Sequence, residues 1–391
     1  MTGGIVSEYN PLHNGHLYHI GKTKEYGADF IVCVMSGNFV QRGECACVDK
    51  WKRAEAAVKG GADVVVDLPV PWAMGSAESF ARGSISLLSH FGIDVLSFGS
   101  ESENKELLNS CALFGENEEV VFTLKKCMSK GMNYPSALFE AVKDKFGVEI
   151  AKIISSPNST LAVEYIRQLK KYLPGCDILP VKRVGAEHDS DMLCDGIASA
   201  SKIRSLISDN SFEGLMPGFV GDIITSGMAD GTVPCKTVYA ERAVLSSLRQ
   251  MKKEQYSLYV TDTTGLADRI YNSVKSAQSL EELYDKVKSK NYTHSRVRRE
   301  VMNVYLNIPN DIHKQLPPYV KILAVNEKGL TLLKNIKDIP VITKHSDIQK
   351  LDDFGKRVYE LQCSTTDKFA LMSQQIRPCG LEQKNSMIVV R

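Results

Sequence analysis

The stretch EYNPLHNGHLYHI, residues 8–20, follows a short β-branched run at MTGGIVS and precedes a helical pattern. The run from Met1 to Tyr9 has the composition of a buried strand, so the fold starts almost at the first residue. A turn follows through Asn10 and Pro11, since proline disfavours the helical region for the residue before it. A helix then starts near Asn14. Gly15 removes a side chain where a phosphate would come close to the backbone, and the unpaired N–H groups of a helix start favour an anion. His13 and His16 project from the same turn, so two imidazoles are placed to donate to phosphate oxygens. Each histidine alone would more often be structural. Together, one turn past the first strand of an α/β domain, they predict an ATP-using nucleotidyl-transfer site with His13 and His16 as its catalytic pair. Donors fixed where charge builds during attack at the α-phosphorus stabilise the transition state more than the ground state.

Outward from this segment, strand and helix alternate. Short β-branched runs recur at 30–36, 63–69, 94–99 and 177–184, with amphipathic stretches at 50–60 and 76–90 between them. Strands separated by helices predict a parallel sheet with right-handed crossovers, an α/β, Rossmann-like architecture. Ligands bind such sheets outside the carboxyl ends of the strands, here just after Tyr9, Ser36, Leu68, Phe98 and Val181. A helix, ASKIRSLIS, begins at Ser199. The Gly/Pro-rich stretch from Met216 to Pro234 reads as a linker or as the entry to a helix bundle. Helical patterns then follow at 236–252, 264–276, 279–289 and 293–306, and 319–391 mixes short strands such as VKILAVN with helix. The expected division is a nucleotidyl-transfer domain over 1–215 and a mainly helical domain over 216–391.

Composition supports an ordinary two-domain globular chain: 391 residues, 43% apolar and 24% charged. No apolar run reaches the ~20 residues of a membrane span, and the start lacks a signal peptide's plan, so the expected location is the cytoplasm. The net charge of +2 says nothing about nucleic acid. The ten cysteines are scattered, and Cys45 and Cys47 have no partner pair at zinc-like spacing, so no metal site is expected.

The HNGH segment resembles the signature of the HIGH-type nucleotidyltransferases. Their second signature, a hydroxyl-rich turn running into a helix, matches Ser199-Ala200-Ser201-Lys202-Ile203-Arg204. There a hydroxyl caps the helix, and Lys202 and Arg204 are suited to the β- and γ-phosphates. More specific stretches are SGNFVQRGE (36–44) with DKWKR (49–53), FGSE (98–101), PNSTLAVEY (157–165) and VKRVGAEHD (181–189). These are similar to the bacterial tRNA(Met) cytidine acetate ligases, nearly end to end. Cys45 stands where that family usually has proline, and PNSTL replaces a more common PNN-type run.

The resemblance implies that ATP activates acetate to acetyl-adenylate, which acetylates the exocyclic amine of the wobble cytidine of elongator tRNA(Met). It also implies ATP contacts at Val6, Ser7, Glu8, Tyr9, Asn10, Pro11, Leu12, His13, Asn14, Gly15, His16, Leu17, Tyr18 and His19. Further contacts are implied at Gly99, Asn158, Arg183, Ser199, Lys202 and Arg204. Mg²⁺ is expected to accompany ATP, with Asp49 and Glu44 as candidate helpers in the absence of a clear carboxylate cluster.

The RNA side rests on KVKSKNYTHSRVRRE (286–300), which gathers six basic residues around Tyr292 and His294. Such clusters contact phosphates, and an aromatic side chain stacks on an unpaired base. Expected tRNA contacts here are Lys290, Arg296, Arg298 and Arg299. Near the catalytic mouth, Gln41, Arg42, Lys50 and Arg53 are expected to receive the anticodon end. Two other readings stay open: a small-molecule adenylyltransferase of the coenzyme-A or NAD type, and a non-catalytic RNA-binding protein. Pyrophosphate release driven by a small metabolite would favour the first, and tight RNA binding without ATP consumption the second.

Overall fold

The β-branched runs form strands in a computed structural model that describes all residues except 115–116, 133, 156, 183–197 and 262–263. The strands are β1 (Thr2–Ser7), β2 (Phe30–Ser36), β3 (Phe39–Val40), β4 (Glu44–Cys45), β5 (Val64–Leu68), β6 (Val95–Ser100), β7 (Asp177–Lys182), β8 (Val320–Asn326), β9 (Val341–Ile342) and β10 (Ile388–Val390). Eight of them form one sheet in the order β10-β8-β5-β2-β1-β6-β7, with β9 beside β8; β3 and β4 form a small hairpin. From β5 to β7 all neighbours are parallel. Alternate residues serve the two faces, as strand geometry requires: Val32 and Val34 of β2 join one core, Ile31, Cys33 and Met35 the other.

The order reverses at β1. The chain winds through β2 to β5 on one side and through β6 to β7 on the other, which opens a crevice at the carboxyl end of β1. The expected strands all form. The first ends at Ser7 rather than Tyr9, because Tyr9 adopts a left-handed backbone (φ 43°) that turns the chain sharply.

Three features refine the expectation. The VKILAVN stretch and the strand near the end lie in the portion expected to be mainly helical. They nevertheless complete the first sheet: β8 pairs antiparallel with β5, and β10 pairs with β8. Of the two readings of the Gly/Pro-rich stretch, helix-bundle entry fits better than linker: it carries a helix, Gly218–Ala229, whose apolar Val220 and Ile224 are buried. Between β6 and β7 sits a helical insert, Lys105–Ala112, Glu118–Ser129, Tyr134–Phe146 and Val148–Ser155.

The helical region runs through Glu241–Gln250, Leu266–Val274, Leu280–Val287 and His294–Leu306. Their buried stripes, such as Val244, Leu245 and Leu248, fall at helical spacing. The helix His294–Leu306 then meets the loop after β3. A Cβ at Gly43, which has φ +76°, would overlap the backbone of Arg298 and Arg299.

A buried ionic cluster locks the end of the chain to the sheet. Lys50 Nζ donates to Asp67 Oδ2 at 2.6 Å and to Glu382 Oε1 at 2.8 Å. Lys321 Nζ also donates to Glu382, Thr366 donates to its other oxygen, and Gln362 donates to Asp67. Burial alone would raise the pKa of Glu382, but Lys321 and Lys50 overcome it and hold the carboxyl at about 2. Two ammoniums and two carboxylates, each with hydrogen-bonding partners, make the burial tolerable.

Candidate active site

The loop Glu8–His13 is held from several sides. Tyr9 hydroxyl meets Cys33 Sγ at 3.3 Å. Asn10 Oδ1 accepts from the Cys47 N–H at 2.8 Å, and its carbonyl accepts from Arg204 Nη1 at 3.0 Å. Asn14 fixes the helix start by donating to the Gly214 and Leu215 carbonyls.

His13 is the N-cap of the helix Asn14–Glu25, and its Nδ1 accepts from the Gly15 N–H at 3.1 Å. His16 Nδ1 accepts in turn from the His13 N–H at 3.2 Å. This reciprocal capping arrangement decides the chemistry of both rings. A backbone N–H cannot donate to a protonated nitrogen, so each imidazole is neutral and carries its proton on Nε2. The rings stack with centroids 3.7 Å apart, and Tyr9 meets His16 edge-on at 4.9 Å. Two stacked imidazoliums would repel each other, so the neutral assignment is also the electrostatically consistent one.

These residues open into a pocket of about 350 Å³ at the switch-point crevice, within the usual range for a small-molecule site. Val6–Asn10, His13, Gly15, His16, Tyr18 and His19 line it, as do Gly99, Asn158, Ser199 and Arg204. Pro11, Leu12, Asn14 and Leu17 shape the loop and helix without lining the cavity. Lys202 lies on the Ser199 helix but off the lining, and Arg183 lies outside the described residues. Ser199 caps the helix Ala200–Ile207 by accepting from the Lys202 N–H at 3.1 Å. Asn158 points its amide at Glu101 Oε1, 2.8 Å away. Burial lowers the pKa of His19 to about 4, and its Nε2 meets Ser97 Oγ at 2.8 Å, so this third histidine is neutral too.

Glu8 sits at the mouth of the crevice, half-buried, with Oε1 accepting from the Gln41 N–H at 3.0 Å. Burial raises its pKa; the Gln41 N–H and the guanidiniums of Arg204, Arg42 and Arg53 offset part of that rise.

Lys50 and Arg53 do not receive RNA. Both are buried: Lys50 belongs to the ionic cluster, and Arg53 is 2% exposed. The Arg53 guanidinium donates to the carbonyls of Val48 (2.8 Å), Glu8 (2.5 Å), Ser36 (3.1 Å) and Gly37. It ties together the two strand ends that form the crevice. Asp49 is likewise committed, as N-cap to the Trp51 and Lys52 N–H groups and as partner of Arg377 at 3.3 Å. Tyr292 is buried with its hydroxyl 2.6 Å from Thr264, which removes it as a stacking platform.

Gln41 and Arg42 do line the mouth. Arg298 bonds Glu44 at 2.7 Å, and Arg299 donates to the Gln41 carbonyl at 3.4 Å, so both brace the rim from the helix His294–Leu306. Arg296 stacks on Tyr292 at 5.2 Å, and Lys290 is exposed nearby. Sequence reasoning missed Phe80, Leu161 and Tyr165, apolar or aromatic lining from two helices. Their only signal is membership of amphipathic patterns, which does not distinguish pocket from core. Among the described residues no group of three His, Cys, Asp or Glu side chains is placed to hold a metal, and no helix is long and apolar enough to cross a membrane.

Residues 1–384 match the family model described as HIGH Nucleotidyl Transferase. The tRNA(Met) cytidine acetate ligase of Acetivibrio thermocellus is 36% identical, with 99% of each chain covered. That of Thermoanaerobacter sp. is 37% identical, with 97% of each covered. Thermotoga maritima TmcAL, solved with alpha-thio ATP bound, superposes with a TM-score of 0.91 at 27% identity and full coverage of both chains. On the strength of these matches over almost its whole length, the chain belongs to the tRNA(Met) cytidine acetate ligase family of HIGH-type nucleotidyl transferases.

Proposed function

We propose that the protein activates acetate with ATP to acetyl-adenylate and pyrophosphate, then acetylates the exocyclic amine of the wobble cytidine of elongator tRNA(Met). The observation that carries this reading is the pair His13 and His16 at a helix start in the switch-point crevice, each with Nδ1 accepting from a backbone N–H, which leaves Nε2 as the ring's donor. As the acetate oxygen attacks the α-phosphorus, negative charge grows on the non-bridging oxygens and on departing pyrophosphate. Imidazole N–H donors, the N-terminus of the helix Asn14–Glu25 and Arg204 stabilise that charge without reorganising. ATP contacts follow at the lining residues, with Gly99 letting the nucleotide lie against backbone. Mg²⁺ bound to the nucleotide's phosphates would shield their charge.

Residues 1–215 carry this chemistry, and 216–391 present the tRNA. Phosphates of the anticodon arm meet Arg42 at the mouth and Lys290 and Arg296 beyond it, while Gln41, Arg298 and Arg299 shape the rim. The protein works in the cytoplasm, where charged and uncharged tRNA are present together with ATP.

The test is incubation of the purified protein with ATP, radiolabelled acetate and bulk bacterial tRNA, followed by nucleoside analysis. Label in acetylcytidine, dependent on ATP, is expected. ATP cleaved to AMP and pyrophosphate with no label in RNA would remove the acetate–tRNA assignment and keep only nucleotidyl transfer.

A further inference from the structure

Acetylating a cytidine amine requires a proton to leave. The amine is a poor nucleophile, its lone pair delocalised into the ring, so attack is assisted when a base takes that proton as the new bond forms. The pocket offers few groups able to do so. The Nδ1 atoms of His13 and His16 already accept from backbone N–H groups, and both Nε2 atoms carry protons. His19 Nε2 is engaged with Ser97. Of the two carboxylates that line the pocket among the described residues, Glu44 is held by Arg298 at 2.7 Å.

Glu8 remains. It follows the carboxyl end of β1 and lines the same pocket as the histidine pair and as Gln41, Arg42 and Glu44, with Gln41 bonded to it directly. That is where a base arriving over the rim would meet an acyl group held at the α-phosphate. Its Oε1 is fixed by the Gln41 N–H, and Glu8 makes no salt bridge among the described residues. An ionised carboxylate has lone pairs to spare after one hydrogen bond. The charged and titratable groups that face it are Arg53 from the helix Lys50–Lys59, Arg42 from the rim, Arg204 from the helix Ala200–Ile207 and Tyr165 from the helix Pro157–Tyr172. Arg53 is committed to backbone carbonyls, and Arg204 gives one Nη to the Asn10 carbonyl. The desolvated setting raises its affinity for a proton, and a bound adenylate phosphate would raise it further.

We propose that Glu8 is the general base of the transfer half-reaction, an assignment that rests on the acetate–tRNA reading above. The cytidine amine nitrogen attacks the acetyl carbonyl carbon, and the N–C bond forms. The C–O bond of the mixed anhydride breaks, and AMP departs with its electron pair. One amine proton passes to the Glu8 carboxylate and from there to solvent.

The experiment separates the two half-reactions. Acetate-dependent pyrophosphate–ATP exchange measures adenylate formation. Single-turnover transfer from supplied acetyl-adenylate to tRNA measures the second step. Glu8→Gln keeps the acceptor for the Gln41 N–H and loses the base. Its transfer rate should fall about 100-fold or more relative to its own exchange rate, the range removed with a general base. Wild-type transfer should rise with pH through one ionisation and then level off, and Glu8→Gln should lack that rise. Equal loss in both half-reactions, or transfer as fast as wild type, would overturn the proposal. Should Glu8→Gln fail to fold, the wild-type profile decides: a transfer rate that shows no rise with pH above the ordinary carboxyl range overturns it. Wild-type protein without acetate-dependent exchange would instead overturn the underlying reading, and that result is seen before any variant is made.

Discussion

Replacing Arg53 by lysine keeps the charge and removes the fork. In the folded protein the guanidinium serves four carbonyls, those of Val48, Glu8, Ser36 and Gly37, from a side chain that is 2% exposed. A lysine ammonium is compact, lacks the planar geometry, and reaches about two of them at once. The other two lose charge-assisted hydrogen bonds worth about 1.5–3 kcal/mol each and stay out of water. With partial relaxation, the expected destabilisation is about 4 kcal/mol. Were Arg53 a phosphate contact on the surface, the same substitution would cost less than about 0.5 kcal/mol of stability and show up only in RNA binding. Urea unfolding followed by circular dichroism distinguishes the two cases. Because Glu8 and Gly37 flank the crevice, acetate-dependent pyrophosphate exchange should weaken together with stability. An unfolding free energy within about 1 kcal/mol of wild type would refute the reasoning, since two unserved buried carbonyls cannot cost so little.

His16→Ala should reduce acetate-dependent pyrophosphate exchange about 10²–10³-fold, the cost of one transition-state donor, while tRNA affinity in a filter assay stays as it was; normal exchange would remove His16 from the site. Lys50→Met leaves two carboxylates facing a single buried ammonium and should cost about 3–5 kcal/mol, read by urea unfolding. Glu382 carries the pH dependence of the same cluster. Its folded pKa of about 2 lies below the ordinary 4.5, so its contribution is fully present above about pH 4.5 and is lost as pH falls through about 2. Lys50→Met should therefore begin to lose stability at higher pH than wild type, and an identical acid profile would deny the coupling. Lys290→Glu and Arg296→Glu should each lower the slope of log affinity for tRNA against log salt by about 0.7–0.9; an unchanged slope would exclude the residue from phosphate contact.

The sheet is legible in the sequence because strands buried on both faces read as unbroken β-branched runs. FIVCVMS and DVVVDLP announce themselves, and rules of connection then locate the crevice. The loop around His13 is legible for a related reason, since proline, glycine and paired histidines constrain a turn strongly. What escapes is long-range closure. Nothing local in VKILAVN says that it will pair antiparallel with β5 some 250 residues earlier. The same gap misleads the reading of Lys50 and Arg53. On an amphipathic helix their charge suggests solvent, and only the arrival of Glu382, Lys321 and the strand-end carbonyls turns both side chains inward. Tyr292 fails likewise: its sequence neighbours are basic, but its hydroxyl has a partner, Thr264, on another segment.

The antiparallel strand β8 also has a consequence in time. While the chain is being synthesised, β5 leaves the ribosome with one edge unpaired, and its partner β8 follows about 250 residues later. At about 5–20 residues per second, that edge stays open for roughly 10–50 s. A strand of valines with a bare edge invites pairing with any neighbour. The stretch of synthesis between Leu68 and Val320 is therefore the hazardous interval for this protein in the cell. Shielding of the nascent chain matters most before Val320 emerges, and a rare-codon pause placed ahead of that point should lower soluble yield more than one placed after it.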